Sequence, residues 1–518
     1  MVRLTYARRA LLQGVAAFAL LGDRAAHAQD EKKPESKSEA KKTDAKTDSK
    51  PGTPKSVTRE FSGTFRGERI SYSVVAGETF LKNDKGEPTA SIFTTGYLKK
   101  GAGDAAQRPV TFVFNGGPGS SSLWLHLGLM GPKRVVVPED GGNAGAAPYQ
   151  LVDNANSVLD ATDLVFIDPV GTGYSHALGD SKDEDFWGVS SDAKSIASFI
   201  RIWLTQNGRW NSPKYLAGES YGTTRAAQVI QEMQFGYDAV TFRGVILVSS
   251  ILDFHTTFEN EGNDLPYIAF LPSYAATARY HGKLDPKPAD LTAFLNEVRA
   301  FASGEYATAL LKGSTLAPTD RAALIKRLAR YTGLSESYLD HADLRVSPGR
   351  FMKELLRDRR LSLGRYDARS LGEDSEAAGD QPDNDASLYA VDGAFVATIN
   401  DYLSRILNTG IDRPYRILEN GPSNKWKWYE RPGPGRFLNV APAFGLAMRE
   451  NRDFRLFVAS GIYDLATPFY GTEITLAHNG IKQDRTRHEL FESGHMLYTH
   501  GPSRDRLADE IRRFIRGR

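Results

Sequence analysis

Lys214-Tyr215-Leu216-Ala217-Gly218-Glu219-Ser220-Tyr221-Gly222-Thr223-Thr224 is the stretch on which the reading of this chain turns. Tyr215, Leu216 and Ala217 make a short apolar run suited to a buried strand. Ala226, Val229, Ile230 and Met233 follow at helical spacing. Between the two, Gly218-Glu219-Ser220-Tyr221-Gly222 fits G-x-S-x-G, a sharp strand-to-helix turn with a strained serine at its tip. A Cβ at Gly218 or Gly222 is expected to collide with the neighbouring strand or helix. The turn lifts the Ser220 hydroxyl clear of the sheet. It also aims the first N–H groups of the helix at whatever that hydroxyl attacks.

Outward from this turn, the same rhythm repeats. Pro109 to Phe114 is a continuous apolar run ending in Asn115-Gly116-Gly117-Pro118-Gly119-Ser120. Asp163 to Asp168 is another, ending in Pro169-Val170-Gly171-Thr172-Gly173-Tyr174-Ser175. Asp192 to Thr205 reads as an amphipathic helix with Ile196, Ile200, Trp203 and Leu204 on one side, and Phe242 to Ser249 as a further strand. Apolar strands alternating with helices predict a mostly parallel central sheet with helices on both faces, an α/β fold whose ligands bind at the carboxyl ends of the strands. Phe61 to Lys99, ahead of this region, alternates as antiparallel strands with a turn at Asn83-Asp84-Lys85-Gly86.

The pattern gives a division of the chain. Residues 1–28 read as a signal peptide, 29–58 as a disordered linker, 59–253 as the first part of the core, 254–396 as an inserted helical cap and 397–518 as the second part of the core. In the cap, Leu291 to Leu311, Arg321 to Tyr331 and Phe351 to Arg359 are helix candidates. Leu363 to Asp385 is acidic and glycine-rich, as in an exposed loop. Strands resume at Phe454 to Gly461 and Glu489 to Phe491. Asp505 to Arg516 closes the chain as a helix with Leu507, Ile511 and Ile515 on one face.

Composition narrows the chemistry. The 518 residues are 41% hydrophobic and 25% charged with a net charge of +2, so nothing points to nucleic acid. No cysteine is present, which excludes disulfides, thiolate metal sites and a thiol nucleophile. No His/Asp cluster has metal-ligand spacing, and Gly116 to Gly119 lacks the Lys-Ser/Thr tail of a phosphate cradle; no metal or cofactor is expected.

A nucleophilic serine needs a base and an acid that orients it. In α/β-hydrolases these follow in the order Ser, Asp or Glu, His. Asp464 lies a short turn past the Phe454–Gly461 strand, and His495 just past the last strand. Both are at strand ends and in order. His500 lies one loop further out, Asp453 precedes its strand, and Asp168 reads as a structural turn. Ser120 to Ser122 read as caps of the helix that follows.

Five segments together, Asn115 to Ser122, Pro169 to Ser175, Gly218 to Gly222, Asp464 with Thr467-Pro468, and Gly494-His495-Met496, resemble the serine carboxypeptidase family in order and spacing. The resemblance covers most of residues 105–253 and 450–500 and not the cap. It implies an α/β-hydrolase fold with a helical cap, and removal of C-terminal residues from peptides through an acyl-enzyme. It assigns Ser220 as nucleophile, Asp464 as orienting acid and His495 as base. The N–H groups of Gly117 and Tyr221 would form the oxyanion hole. Asn115, the Gly116 backbone and Glu219 would bind the substrate's terminal carboxylate. A carboxylate is a poor neighbour for another unless one is protonated; the alternative for Glu219 is a structural bond to the backbone. Three positions depart from the family pattern: Val113 in place of a tryptophan, Ser120 in place of a cysteine, and Leu129 where a second acid would share a proton with the glutamate. The triad is untouched, but carboxylate recognition is altered. An esterase or acyltransferase on the same scaffold is therefore the competing reading, and a non-catalytic binding protein the third. The expected partner is a peptide or small acyl substrate.

Arg3, Arg8 and Arg9 precede the apolar run Ala10 to Leu21 and an A-x-A site at Ala26-His27-Ala28, as in an exported protein, periplasmic by expectation and with no mature membrane anchor. Arg8-Arg9-Ala10-Leu11-Leu12 fits a twin-arginine signal as well as a general secretory one. The mature chain should begin at or near Gln29 by N-terminal sequencing and fractionate outside the cytoplasm. An unprocessed cytoplasmic chain would refute this. Replacing Arg8-Arg9 with two lysines should block export if the twin-arginine route is used.

Overall fold

The computed structural model describes residues 52–236, 238–429 and 437–517. The signal peptide and most of the linker expected before Thr58 lie outside them. Nine strands form the backbone of one large sheet: β1 (Ser56–Phe65), β2 (Glu68–Lys82), β3 (Pro88–Lys99), β4 (Val110–Phe114), β5 (Asp163–Ile167), β6 (Lys214–Glu219), β7 (Gly244–Val248), β8 (Arg455–Gly461) and β9 (Thr486–Phe491). Their spatial order is β1-β2-β3-β5-β4-β6-β7-β8-β9, and the short strand His176–Ala177 pairs β3. Pairings from β1 to β5 are antiparallel, and those from β5 to β9 are parallel. β1 begins at Ser56, inside the segment read as linker. Its alternation pairs it in register with β2 from Ser56↔Gly77 to Phe65↔Glu68.

Every residue of β4, β5, β6 and β7 is buried, which is why these strands carry unbroken apolar runs rather than alternation. Helices α1 (Val189–Gln206) and α2 (Tyr221–Met233) cover one face. Ile196, Ile200, Val229, Ile230 and Met233 share a core cluster with Phe112, Leu216 and Leu247. On the other face, Leu507, Ile511 and Phe514 of the C-terminal helix pack with Ala217, Ile246 and Phe457. That helix spans Gly501–Ile515.

Between β7 and β8 the chain builds mostly helices. α3 (Leu265–Tyr280), α4 (Leu291–Phe301) and α5 (Pro318–Thr332) enclose a separate cluster around Tyr274, Phe301, Leu328 and Phe351. That cluster also contains Ile462, Tyr463, Leu465 and Phe469, from the segment after β8. The cap is thus joined by apolar packing to the stretch that carries Asp464. The boundary expected at 396/397 falls inside the helix Asp392–Asp401, whose Ala394, Phe395 and Ile399 already belong to the main core.

The loop expected to be exposed over 363–385 is not exposed throughout. Gly364, Asp367 and Ala368 are buried. The backbone there bonds the core: Leu465 N–H donates to Arg365 O at 3.0 Å, Ala368 N–H to Tyr463 O at 3.0 Å, and His495 N–H to Tyr366 O at 2.5 Å. Acidic composition suggested solvent, but the run's acidic stretch begins only after these contacts are made.

α1 and α2 are locked by a buried ion pair. Arg225 Nε donates to Asp192 Oδ2 at 2.7 Å, with side-chain exposures of 0% and 3%. The guanidinium also donates to the Asn115 carbonyl and lies 5.5 Å from the Phe114 ring and 5.2 Å from the Tyr221 ring. Burial holds the Asp192 carboxyl above its usual range despite the opposing pull of Arg225, so desolvation outweighs pairing. Removing one partner leaves a buried charge alone. Asp192→Ala should cost about 3–5 kcal/mol in denaturant unfolding, and the apolar double variant Asp192→Leu/Arg225→Met should recover most of it. A single-variant cost below about 1 kcal/mol would contradict this.

Candidate active site

Asn115, Gly116, Gly117, Glu219, Ser220, Tyr221, Asp464 and His495 fall at or just past the carboxyl ends of the parallel strands. At the end of β6, Ser220 adopts φ 59°, ψ −131°, the strained left-handed backbone of a nucleophile turn. Its N–H donates to Val248 O at 3.0 Å, and its carbonyl accepts from Thr223 N at 2.9 Å. The turn has no room for side chains at the flanking glycines. A Cβ on Gly218 would lie 2.3 Å from Gly222 O, and one on Gly222 would lie 2.8 Å from Phe114 O at the end of β4. Ser220 itself is half-buried.

Gly116 follows β4 and touches the turn. A Cβ there would lie 2.5 Å from Tyr221 N and 2.7 Å from Glu219 O. The next residue, Gly117, has φ 100°. Among the described residues, neither the Gly117 N–H nor the Tyr221 N–H donates to another group of the protein. Gly116, which precedes Gly117, packs directly on the backbone N–H of Tyr221, so the ends of β4 and β6 meet at Ser220.

Past β8, Asp464 is fully buried and saturated with donors: Ala466 N at 2.7 Å and Thr467 N at 2.9 Å reach Oδ1, and Thr467 Oγ1 reaches Oδ2 at 2.7 Å. His495, past β9, places Nδ1 at 2.7 Å from Asp464 Oδ2. With Nδ1–H donating to the carboxylate, Nε2 keeps its lone pair. Burial pulls the imidazole's affinity for a proton down, but the charge and hydrogen bond of Asp464 outweigh it, with Glu219 adding to them, so His495 titrates above its usual range. The backbone around His495 is fixed at both ends. Ser249 Oγ donates to its carbonyl at 2.6 Å, and Tyr366 of the cap loop accepts its N–H and stacks on its ring at 4.8 Å and 16°. Among the described residues no hydrogen bond joins the Ser220 hydroxyl to His495. In unliganded sites that bond often closes only with substrate.

Glu219 is 2% exposed. Asn115 Nδ2 donates to its Oε2 at 2.6 Å, while Asn115 Oδ1 accepts from Leu125 N at 2.9 Å. Tyr498 OH donates to both carboxyl oxygens, at 3.1 and 2.9 Å. Burial pushes the Glu219 carboxyl up to about 7, against His495, Tyr498 and Asn115 and with Asp464. Glu219 therefore bonds side chains, not the backbone.

The remaining candidates stand apart. His500 Nδ1 pairs with Ser503 Oγ at 2.8 Å at the start of the C-terminal helix, and Asp453 is an exposed residue before β8. Asp168 is a buried structural acceptor, taking Ser122 N at 2.9 Å and Tyr415 OH at 3.1 Å. Ser120 to Ser122 do not cap the next helix: Ser122 makes no side-chain cap bond, and its hydroxyl donates to Ile167 O instead. The helical turn there is only Leu123–Leu125, followed by a π-helical turn His126–Met130, so the usual cap acceptor geometry is missing. Tyr498, Tyr366 and Arg225 were not foreseen. Leu129 was the available signal for Tyr498, since a lost partner of Glu219 asks what replaced it.

Comparison with known proteins bears on the same segments. The serine carboxypeptidase family model matches residues 96–284. Serine carboxypeptidase-like 16 of Arabidopsis thaliana is 27% identical over 168 residues, covering 30% of this chain and 37% of that protein. A pheromone-processing carboxypeptidase of Cryptococcus gattii is 35% identical over 126 residues, covering 24% of this chain and 18% of that protein. The matched part spans about a third of the length of the first of these curated relatives. In fold, the chain is similar to the crystal structure of a prohormone-processing carboxypeptidase from Saccharomyces cerevisiae, with a TM-score of 0.52 at 16% identity over 86% of this chain and 91% of that one. Residues 96–284, which supply Asn115, Gly117, Glu219 and Ser220, match the serine carboxypeptidase family model, and the fold is that of the α/β-hydrolases.

Proposed function

We propose that this chain is an exported serine carboxypeptidase that removes C-terminal residues from peptides. The observation that carries the reading is the Asn115–Glu219 pair, a buried carboxyl held near neutrality beside the nucleophile. Below its titration, Glu219 is a neutral acid that can donate to a substrate's terminal carboxylate. Asn115 and the Gly116 backbone supply further donors. Ser220 Oγ attacks the last peptide carbonyl while His495 Nε2 takes its proton. Asp464 holds the imidazole and balances its positive charge. The developing oxyanion lies between the N–H groups of Gly117 and Tyr221. His495 then protonates the leaving amine, and the acyl-Ser220 ester is hydrolysed by water in the reverse sequence. The described residues contain no group of acidic and histidine side chains that could hold a metal, and no described helix is long and apolar enough to cross a membrane.

One observation favours a second reading. Leu129 is fully buried where the resemblance places a second acid, and Asn115 already spends an amide proton on Glu219. A site with weakened carboxylate recognition would favour ester substrates, or transfer of the acyl group to another hydroxyl.

A fluorophosphonate probe should label Ser220 and abolish activity, and Ser220→Ala should lower kcat by on the order of 10⁴ or more. Labelling at another residue, or retained activity in the variant, would overturn the assignment.

The pH dependence has two limbs. His495 is raised, so its neutral form, and turnover of every substrate, is reached only above the usual histidine value of about 6.5. Glu219 loses its proton near about 7, so binding of a free C-terminus declines above that pH. Peptides should show a narrow bell, and C-terminally blocked esters only its acid limb. Glu219→Gln should remove the alkaline decline for peptides. It should also move the acid limb to lower pH for both substrates, because the Glu219 charge is one influence holding His495 up. If both profiles are unchanged in Glu219→Gln, Glu219 does not read the C-terminus.

A further inference from the structure

We infer that Tyr498 is a positioning residue for Glu219, and that it sets the orientation and proton occupancy of the carboxyl that reads the substrate's C-terminus. The inference rests on the proposed role of Glu219. Tyr498 is 2% exposed, and its OH reaches both Glu219 oxygens, at 3.1 and 2.9 Å. The two contacts fix the plane of the carboxyl together with Asn115 at 2.6 Å.

The neighbouring sequence is fitted to this ring. A Cβ on Gly128 would lie 2.4 Å from both Cδ2 and Cε2 of Tyr498, so only glycine leaves the ring its place. Leu129, the adjacent residue, is fully buried and brings no proton of its own. Glycine at 128 thus leaves room for a phenol, not an acid, against Glu219.

A phenol against this carboxyl acts differently from a second acid. Two acids in contact share one proton, and the ionised one keeps the other neutral. A phenol stays protonated, here well above its usual range because of burial and the Glu219 charge, and donates its hydrogen bond to the carboxylate. That bond favours the ionised form of Glu219. The other groups facing Glu219 are Asn115 after β4, Asp464 after β8, and His495 after β9, with Tyr366 from the cap loop feeling its charge. Of these, only Asp464 favours the protonated form, alongside burial. Tyr498 therefore limits how far into alkaline pH the free C-terminus is recognised.

The test is the ratio of kcat/KM for a peptide to that for its C-terminally blocked ester, followed against pH in wild type, Tyr498→Phe, Glu219→Gln and Glu219→Gln/Tyr498→Phe. The ratio removes His495 and global effects common to both substrates. Its alkaline midpoint should rise by about one pH unit in Tyr498→Phe, the size of one hydrogen bond to a charged group. The double variant should match Glu219→Gln, because Tyr498 acts through that carboxyl. Should Tyr498→Phe fail to fold, 3-fluorotyrosine at 498 keeps the shape with a more acidic phenol, and should lower the midpoint instead. An unmoved midpoint in Tyr498→Phe or the fluorinated protein, with the alkaline decline present in wild type, would overturn the role of Tyr498 and leave that of Glu219 standing. No substrate-selective decline in wild type would overturn both.

Discussion

The close approach of two strand ends governs this molecule. The turn after β6 presses against the residues that follow β4 so tightly that no Cβ fits at Gly116, Gly218 or Gly222. At that contact Ser220 takes a left-handed backbone. The contact also brings Asn115 within 2.6 Å of Glu219. Arg225 holds the arrangement from behind, bonded to Asp192 and to the Asn115 carbonyl. The Ser220 turn, the Gly116–Gly117 backbone and the Asn115–Glu219 pair are therefore consequences of one packing constraint rather than independent features.

The electrostatics follow from burial. Asp464 accepts from three donors and from His495, and its charge gives the imidazole affinity for a proton in a site that would otherwise take it away. Glu219 has three side-chain contacts from two residues and remains raised because burial dominates. Two buried acids thus stand in different settings: Asp464 is ringed by donors and holds His495 Nδ1, while burial raises the carboxyl of Glu219 to about 7. The cap takes part in this balance. Its loop over 364–370 bonds the segments carrying Asp464 and His495 and lays the Tyr366 ring on the imidazole.

Much of this was legible in the sequence because local constraints were severe. Unbroken apolar runs at Val110–Phe114 and Gly244–Val248 could only be buried strands, and glycine at 218 and 222 marked the turn. Asp464 and His495 were found from chain order and strand ends, and they meet at 2.7 Å. What the sequence hid depends on long-range packing. The loop over 364–370 looked solvated by composition, yet its backbone is consumed by partners about 100 to 130 residues away. Tyr498 lies only three residues past His495, but its partner, Glu219, is 279 residues distant. Ser122 suits capping by residue type, yet its hydroxyl donates to Ile167 O at the end of the neighbouring strand.

The central claim is that this site recognises and cleaves at a free C-terminus. Mass spectrometry of a peptide and its C-terminally amidated twin, each incubated with the mature protein at mildly acidic to neutral pH, tests it most directly. Stepwise loss of single residues from the free C-terminus is expected, with far slower loss from the amidated twin. Equal rates on both, cleavage inside the peptide, or an intact peptide alongside rapid ester hydrolysis would contradict it.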